Sequence, residues 1–310
     1  MKKNCEAPVL LIAFNRPSTT REVFESIRKV KPKKLYVAVD GPRQDKLGEA
    51  ELCKQVIDIT KKVDWDCETK YLIRDKNLGC KYGVSGAISW ALNHEDRVII
   101  IEDDIVAVPS FFNYAEVLLE KYKDDDRIAM ISGNNYTPLD NLEADYTFSQ
   151  HAGHIWGWAT WRRTWKRFDV EVPELPKEVM SNLESMHFGS NAERRFYKRY
   201  FRKLGHRIKM KTENTWDSQF SFFLHQNNLL AVVPKSNLCS NVGETSSRTS
   251  AVANTSDIYY PADENFILKK HPTIVEQNLE YDLKHFKKHI NAKSFLEKAI
   301  YKIKKELNIR

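Results

Sequence analysis

Up to about residue 140 the chain repeats one pattern, a short apolar run followed by an amphipathic stretch, and this alternation limits the fold more than any other feature. Val9–Phe14 reads as a strand, and Thr19–Val30 as a helix opened by a Thr19/Glu22 capping box. Leu35–Val39 is a second strand, closed by the turn sequence Asp40-Gly41-Pro42. Leu47–Lys62 reads as helix, Thr69–Ile73 as strand, Val84–Asn93 as helix and Val98–Ile101 as strand. A helix from Ser110 to about Tyr122 and a strand at Ile128–Ser132 follow. Strands this uniformly apolar must be covered on both faces. Strand–helix alternation with right-handed crossovers therefore predicts an α/β fold, a mostly parallel central sheet flanked by helices.

Beyond residue 140 the pattern changes. Aromatics accumulate (Trp156, Trp158, Trp161, Trp165), and helical periodicity returns at Val179–Met186, Ala192–Leu204 and Asp217–Gln226, before a strand at Leu229–Val233. The chain thus divides softly into 1–145, 146–265 and a basic helical tail, 266–310, with the first two sharing one sheet. At 310 residues and 42% hydrophobic, it has enough apolar surface for a sizeable core. The five cysteines contain no C-x-x-C pair and read as reduced, mostly buried thiols. The apolar run Val9–Phe14 is too short for a membrane span or a signal-peptide core, so the cytoplasm is the expected location.

The net charge of +7 is concentrated near the C-terminus, where Lys284–Arg310 carries nine Lys/Arg against Glu297 and Glu306. Ile290, Phe295, Leu296, Ile300, Ile303 and Leu307 interleave at helical spacing. Such a segment either rests on an anionic membrane or packs its apolar stripe on the protein. No nucleic-acid-binding motif accompanies the charge, and nucleic acid is not an expected partner.

Glu102-Asp103-Asp104 directly follows the run Arg97–Ile101. Three adjacent carboxylates at the mouth of a buried strand repel one another and need hydration or a partner. A divalent cation, Mn²⁺ or Mg²⁺, meets both needs; a solvated acidic turn is the simpler reading. Neither a G-x-x-x-x-G-K-[ST] loop nor a G-x-G-x-x-G after the first strand is present. A nucleotide bound here would therefore have its diphosphate neutralised by metal. Its base and ribose would fall to residues at the strand ends: Asn15 and Arg16 after the first strand, Asp40 after the second. Arg16 either reaches a phosphate or solvates a turn. Asn77-Leu78-Gly79 follows the third strand, and Gly79, Gly83 and Gly86 permit close backbone approach.

In order and spacing, Pro8–Arg16, Val39-Asp40-Gly41, Ile101–Ile105 with Pro109-Ser-Phe-Phe112, Gly157-Trp158, Trp216-Asp217 and Ser240–Gly243 are similar to one family. Over roughly residues 8–245 the chain resembles the GT-A (Rossmann-like) nucleotide-diphospho-sugar transferases. The resemblance is to the group around the Golgi N-acetylglucosaminyltransferase that starts complex N-glycans, with its bacterial relatives. It implies an inverting glycosyltransferase that uses Mn²⁺ and a nucleotide-diphosphate sugar, typically UDP-linked, with a glycan or lipid-linked acceptor. It makes 1–145 the nucleotide-sugar half and 146–265 the acceptor half. By position it implies Asp104 as metal ligand, Glu102 and Asp103 on the nucleotide or donor sugar, Arg16 and Asp40 on the nucleotide, and Asp217 as general base. The segment after Asn241 departs from the animal enzyme.

Asp217 has a second reading, as N-cap of the helix through Gln226. The tryptophans are expected mainly in the core, with Gly157 and Trp158 alone placed against the donor sugar. His151, His154 and His225 read as structural. Two other functions fit the same carboxylates: nucleotidyl transfer, and a glycan- or nucleotide-binding module without catalysis.

Overall fold

The computed structural model describes residues 5–151, 153–172, 187–243 and 260–290. The strands are β1 Val9–Ala13, β2 Lys34–Val39, β3 Glu68–Ile73, β4 Arg97–Glu102, β5 Ile105–Ala107, β6 Ile128–Ser132, β7 Tyr146–Ser149, β8 Trp158–Trp161, β9 Leu230–Pro234 and β10 Cys239–Asn241. The helices are α1 Pro17–Val30, α2 Glu49–Thr60, α3 Gly79–His94, α4 Pro109–Lys121, α5 Arg162–Trp165, α6 Asn191–Lys209, α7 Asp217–Gln226 and α8 Leu279–His285. A single π turn, Phe286–Ile290, extends α8.

Eight strands form one sheet in the order β3-β2-β1-β4-β8-β6-β9-β7. β8 runs antiparallel to both its neighbours and β7 antiparallel to β9; the other pairings are parallel. The mostly parallel α/β architecture is therefore as the alternation predicts. Its physical basis is visible along single strands. Val9, Leu11 and Ala13 of β1 enter one core with Ile99 and Ile101 of β4, while Leu10, Ile12, Val98 and Ile100 enter the other. Side chains alternate faces with period two, and here both faces are apolar. Helices α1, α2 and α4 cover the first face through Phe24, Val56 and Phe111. Helices α3 and α7 cover the second through Ile88, Phe220 and Leu224.

Several local features differ from expectation. No capping box opens α1: Thr19 and Thr20 instead donate their hydroxyls to the Arg16 carbonyl, and Pro17 supplies the start. Helix α3 begins at Gly79, five residues before the apolar periodicity does, where the Asp40 carboxylate accepts the Leu78 and Gly79 N–H groups. The short strands β7 and β8 were read only as an aromatic-rich stretch. Within the tail, helix begins at Leu279, and its start is buried: Tyr281 and Phe286 are almost fully covered, and the Tyr281 hydroxyl donates to Asn135 Oδ1 at 3.0 Å. The expected helix at Val179–Met186 and the tail beyond Ile290 lie outside the described residues.

The strand order fixes where a site can form. The chain runs outward from β1 through β2 to β3, then returns to lay β4 on the other side of β1. At such a switch point the loops at the carboxyl ends diverge and leave a crevice. Register pairs Ile12 with Glu102, so Phe14–Arg16 and Glu102–Asp104 leave the sheet side by side.

Candidate active site

Glu102 is the last residue of β4, and Asp103 and Asp104 form the turn into β5. That turn is held from outside. Strand β5 pairs antiparallel with β10, and the Val242 N–H donates to the Asp104 carbonyl at 2.8 Å. Gly243 follows, and a Cβ there would lie 2.9 Å from Asp104 Oδ2. The segment Ser240–Gly243 thus packs its backbone against the acidic turn, where a side chain would displace the carboxylate.

Asp103 and Asp104 share one cation. The Arg16 guanidinium lies 2.7 Å from Asp104 Oδ2 and 3.5 Å from Asp103 Oδ1. Asp103 Oδ2 also accepts the Phe14 N–H at 2.9 Å. These contacts do not offset the crowding. Burial, then Asp104, push Asp103 up to about 6 against the opposing pull of Arg16 and the Phe14 N–H. Glu102 is only partly exposed. Burial, followed by Asp104, Asp103 and Asp217, raises it to about 8. The site therefore carries more negative charge than Arg16 can balance.

Asp217 reaches this cluster from a distant part of the chain. It is the exposed first residue of α7. The N-cap position belongs to Trp216, which makes no side-chain cap, so the capping reading does not describe Asp217. What positions Asp217 is its neighbours. Trp216 is buried and stacked on Trp158, and Ser218 shares a 2.8 Å hydrogen bond with the Tyr200 hydroxyl.

Beside Asp217 opens a cavity of about 360 Å³, lined by Tyr136, Trp156, Tyr200, Phe220, Gln150, His151 and His154 among others. Aromatic faces dominate, and among the described residues its one acidic group is Asp217 and no Lys or Arg lines it. Its buried Tyr136 hydroxyl and Gln150 Oε1 have no hydrogen-bond partner among the described residues. The histidines behind it form a hydrogen-bonded chain. Ser221 O can only accept, so His225 Nδ1 carries the proton of their 2.7 Å bond. His151 Nδ1 lies 2.7 Å from His225 Nε2, and His151 Nε2 lies 3.2 Å from Gln277 Nε2 and 3.3 Å from the His187 carbonyl. Burial lowers His151 to about 4 and His154 to about 3, which keeps this wall neutral.

The remaining sequence-derived candidates fall elsewhere. Asp40 is a helix cap: its carboxylate accepts Asn77 Nδ2 at 3.0 Å and the Leu78 and Gly79 N–H groups at the start of α3, with Arg74 at 3.8 Å. Asn15 donates to Glu49 Oε1 at 2.9 Å. Glu49 is buried and also binds the Arg43 backbone and guanidinium, with Arg43 5.6 Å over the Phe14 ring. Sequence reasoning missed Arg43 and Glu49. The one available signal was an arginine directly after the Asp40-Gly41-Pro42 turn, at the carboxyl edge of the sheet.

Gly157 and Trp158 were expected on a donor sugar, and the structure corrects both. Trp158 is fully buried between Trp165, Trp216 and Phe220, leaving no face for a ligand. Gly157 adopts φ +73°, and a Cβ there would strike Cys239 Sγ at 2.4 Å, while its carbonyl accepts the Gly133 N–H at 2.7 Å. Glycine is required there to seat β10 against β8.

No three carboxylate, imidazole or thiolate groups among the described residues form a complete cation site. Mg²⁺ and Mn²⁺ commonly take one or two protein carboxylates and fill their shell with water and phosphate oxygens. The excess of buried oxygen ligands around Asp104 fits that arrangement.

No family profile and no curated protein matches the sequence. Among solved structures, the chain is similar to mouse xyloside xylosyltransferase 1 in its apo form, at 10% identity and a TM-score of 0.40, over 83% of this chain and 94% of that one. It is also similar to a UDP-glucose pyrophosphorylase complexed with UDP-glucose, at 9% identity and a TM-score of 0.38, over 77% and 94%. A cytidylyltransferase from Leptospira borgpetersenii aligns at 9% identity and a TM-score of 0.32, over 56% of this chain and 68% of that one. Likeness at this level fixes neither substrate nor reaction.

Proposed function

We propose that the protein is an inverting, metal-dependent glycosyltransferase that moves a sugar from a nucleotide-diphosphate donor, UDP-linked by the family resemblance, to a hydroxyl of a glycan or lipid-linked acceptor. Surface-polysaccharide assembly is the setting we favour. One observation supports the reading: Asp217, exposed at the start of α7, borders a neutral aromatic cavity on the side of the Glu102–Asp104 cluster.

In this reading Asp104 would hold Mn²⁺ or Mg²⁺, and Arg16 would supply the second positive charge facing the diphosphate. The cation supplies Lewis-acid stabilisation of charge on the departing phosphate. Glu102 and Asp103 would set the donor by hydrogen bonding. Asp217 would take the acceptor hydroxyl proton from the side opposite the leaving group, a general-base contribution of roughly 10²–10⁴ in rate. The cavity would hold the acceptor sugar, its apolar faces on Tyr136, Trp156 and Tyr200 and its hydroxyls on Tyr136 and Gln150.

Nucleotidyl transfer would need cations after β1 to hold a triphosphate. In this chain the loop between β1 and α1 offers Arg16 alone. The test is product analysis with a panel of nucleotide sugars, Mn²⁺ and neutral or anionic sugar acceptors. Release of a nucleoside diphosphate dependent on a neutral acceptor is expected; pyrophosphate release, or no turnover with any donor, would overturn the reading. Asp217→Asn should lower turnover by about 10²–10⁴-fold without changing the melting temperature, since the side chain is exposed.

A further inference from the structure

Helix α6 carries a charge pattern that neither the fold nor the proposed reaction uses. Its inner face is apolar: Tyr197, Phe201 and Leu204 are buried with Phe222. Its outer face presents Arg195, Arg199, Arg202, His206 and Lys209, spaced so that all fall on one side of the helix, with Lys203 beside them; all are exposed. The single acid of the helix, Glu193, is buried at its N-terminus, where it accepts the Gly189 N–H at 3.0 Å while Ser190 caps the Glu193 N–H. Among the described residues no ion pair is formed by Arg195, Arg199, Arg202, Lys203 or Lys209. Nineteen residues of helix extend over about 28 Å, so the stripe is long.

Two further observations bear on what would cover it. Met210, immediately after Lys209, is 59% exposed and gives the stripe an apolar end. The last described residues meet the same helix: Phe286 lies 5.7 Å from Phe196, and Ile290 packs against the α6 cluster. From Ile290 the sequence continues with six Lys/Arg against Glu297 and Glu306. A long planar row of cations with an apolar end matches an extended anionic surface rather than a compact anion.

We propose that the outer face of α6 is a docking surface for an anionic lipid bilayer. It sets the opposite side of the same helix, where Tyr200 lines the Asp217 cavity, at a fixed distance from that bilayer. The proposal does not depend on the transferase reading, because binding is measured without turnover.

The test is co-sedimentation of the full chain with phosphatidylcholine vesicles, with and without phosphatidylglycerol. Wild type should bind only the anionic vesicles and detach as salt rises. A variant carrying Arg195→Gln, Arg199→Gln, Arg202→Gln and Lys203→Gln should bind about a hundredfold or more weakly. Arg195→Lys, Arg199→Lys and Arg202→Lys together should bind as wild type, which separates charge from folding. Lys302→Gln, Lys304→Gln and Lys305→Gln in the full chain should leave most binding in place. Equal binding to neutral vesicles would overturn the proposal. So would retention by the glutamine variant, complete loss in the tail variant, or capture by soluble polyphosphate without capture by vesicles.

Discussion

Trp216, the residue before Asp217, stacks on Trp158 of β8 with ring centroids 5.6 Å apart and planes at 22°. The proposed base thus takes its position from a core tryptophan of the central sheet. Trp158→Ala should cost about 3–5 kcal/mol in chemical denaturation, as for large buried aromatics generally. It should also lower turnover at temperatures where the variant is still folded, because α7 loses its anchor. Trp158→Phe should recover most of the stability.

Gly157 and Cys239 form a second linked pair. Gly157→Ala adds a methyl in left-handed backbone, 2.4 Å from the Cys239 sulfur. The expected loss is about 1–3 kcal/mol. Cys239→Ala removes the steric part alone. A double-mutant cycle by urea denaturation should show the pair of substitutions costing less than the sum of the two.

Asp40 separates structure from binding. With its oxygens engaged at the start of α3, Asp40→Ala should lower stability by about 0.5–2 kcal/mol, the usual cost of a lost cap. The donor KM should stay near wild type. A large rise in donor KM at unchanged melting temperature would restore Asp40 to the nucleotide.

Asp282 gives a pH test away from the site. It is fully buried, accepts from Ser149 Oγ and accepts Gln277 Nε2 at 2.7 Å, yet burial still raises it to about 6. A folded pKa above the unfolded value of 3.8 means that unfolding releases a proton between those pH values. Wild type therefore loses stability as pH rises through that window, by up to about 1.4 kcal/mol per unit. In Asp282→Asn that component is absent, so the variant's deficit relative to wild type should shrink from pH 4 to pH 6. Denaturation midpoints at the two pH values measure it.

The first half of the fold was legible because its strands are buried on both faces. Val9–Ala13 and Arg97–Glu102 announce themselves as apolar runs wherever their partners lie in sequence. Strand β8 does not. Its four residues pair with β4 and β6, and nothing local in Trp-Ala-Thr-Trp reveals that pairing. The same blindness misplaced Trp158: a tryptophan beside a glycine looks alike in sequence whether its ring faces a ligand or the core. Glu102–Asp104 were legible because three adjacent carboxylates are costly wherever they are buried. The structure adds Arg16 as their shared counter-ion. The bonds Asp40 accepts at the start of α3 were not legible, because a carboxylate at a strand end can serve a ligand or the next helix.

The strand order also governs how such a chain can change over generations. β8, from the later part of the sequence, lies between β4 and β6 of the earlier part. Cutting and rejoining the gene between β6 and β7 would remove a strand from the middle of the sheet. The later segment therefore cannot be exchanged as a cassette without opening the sheet that both parts share.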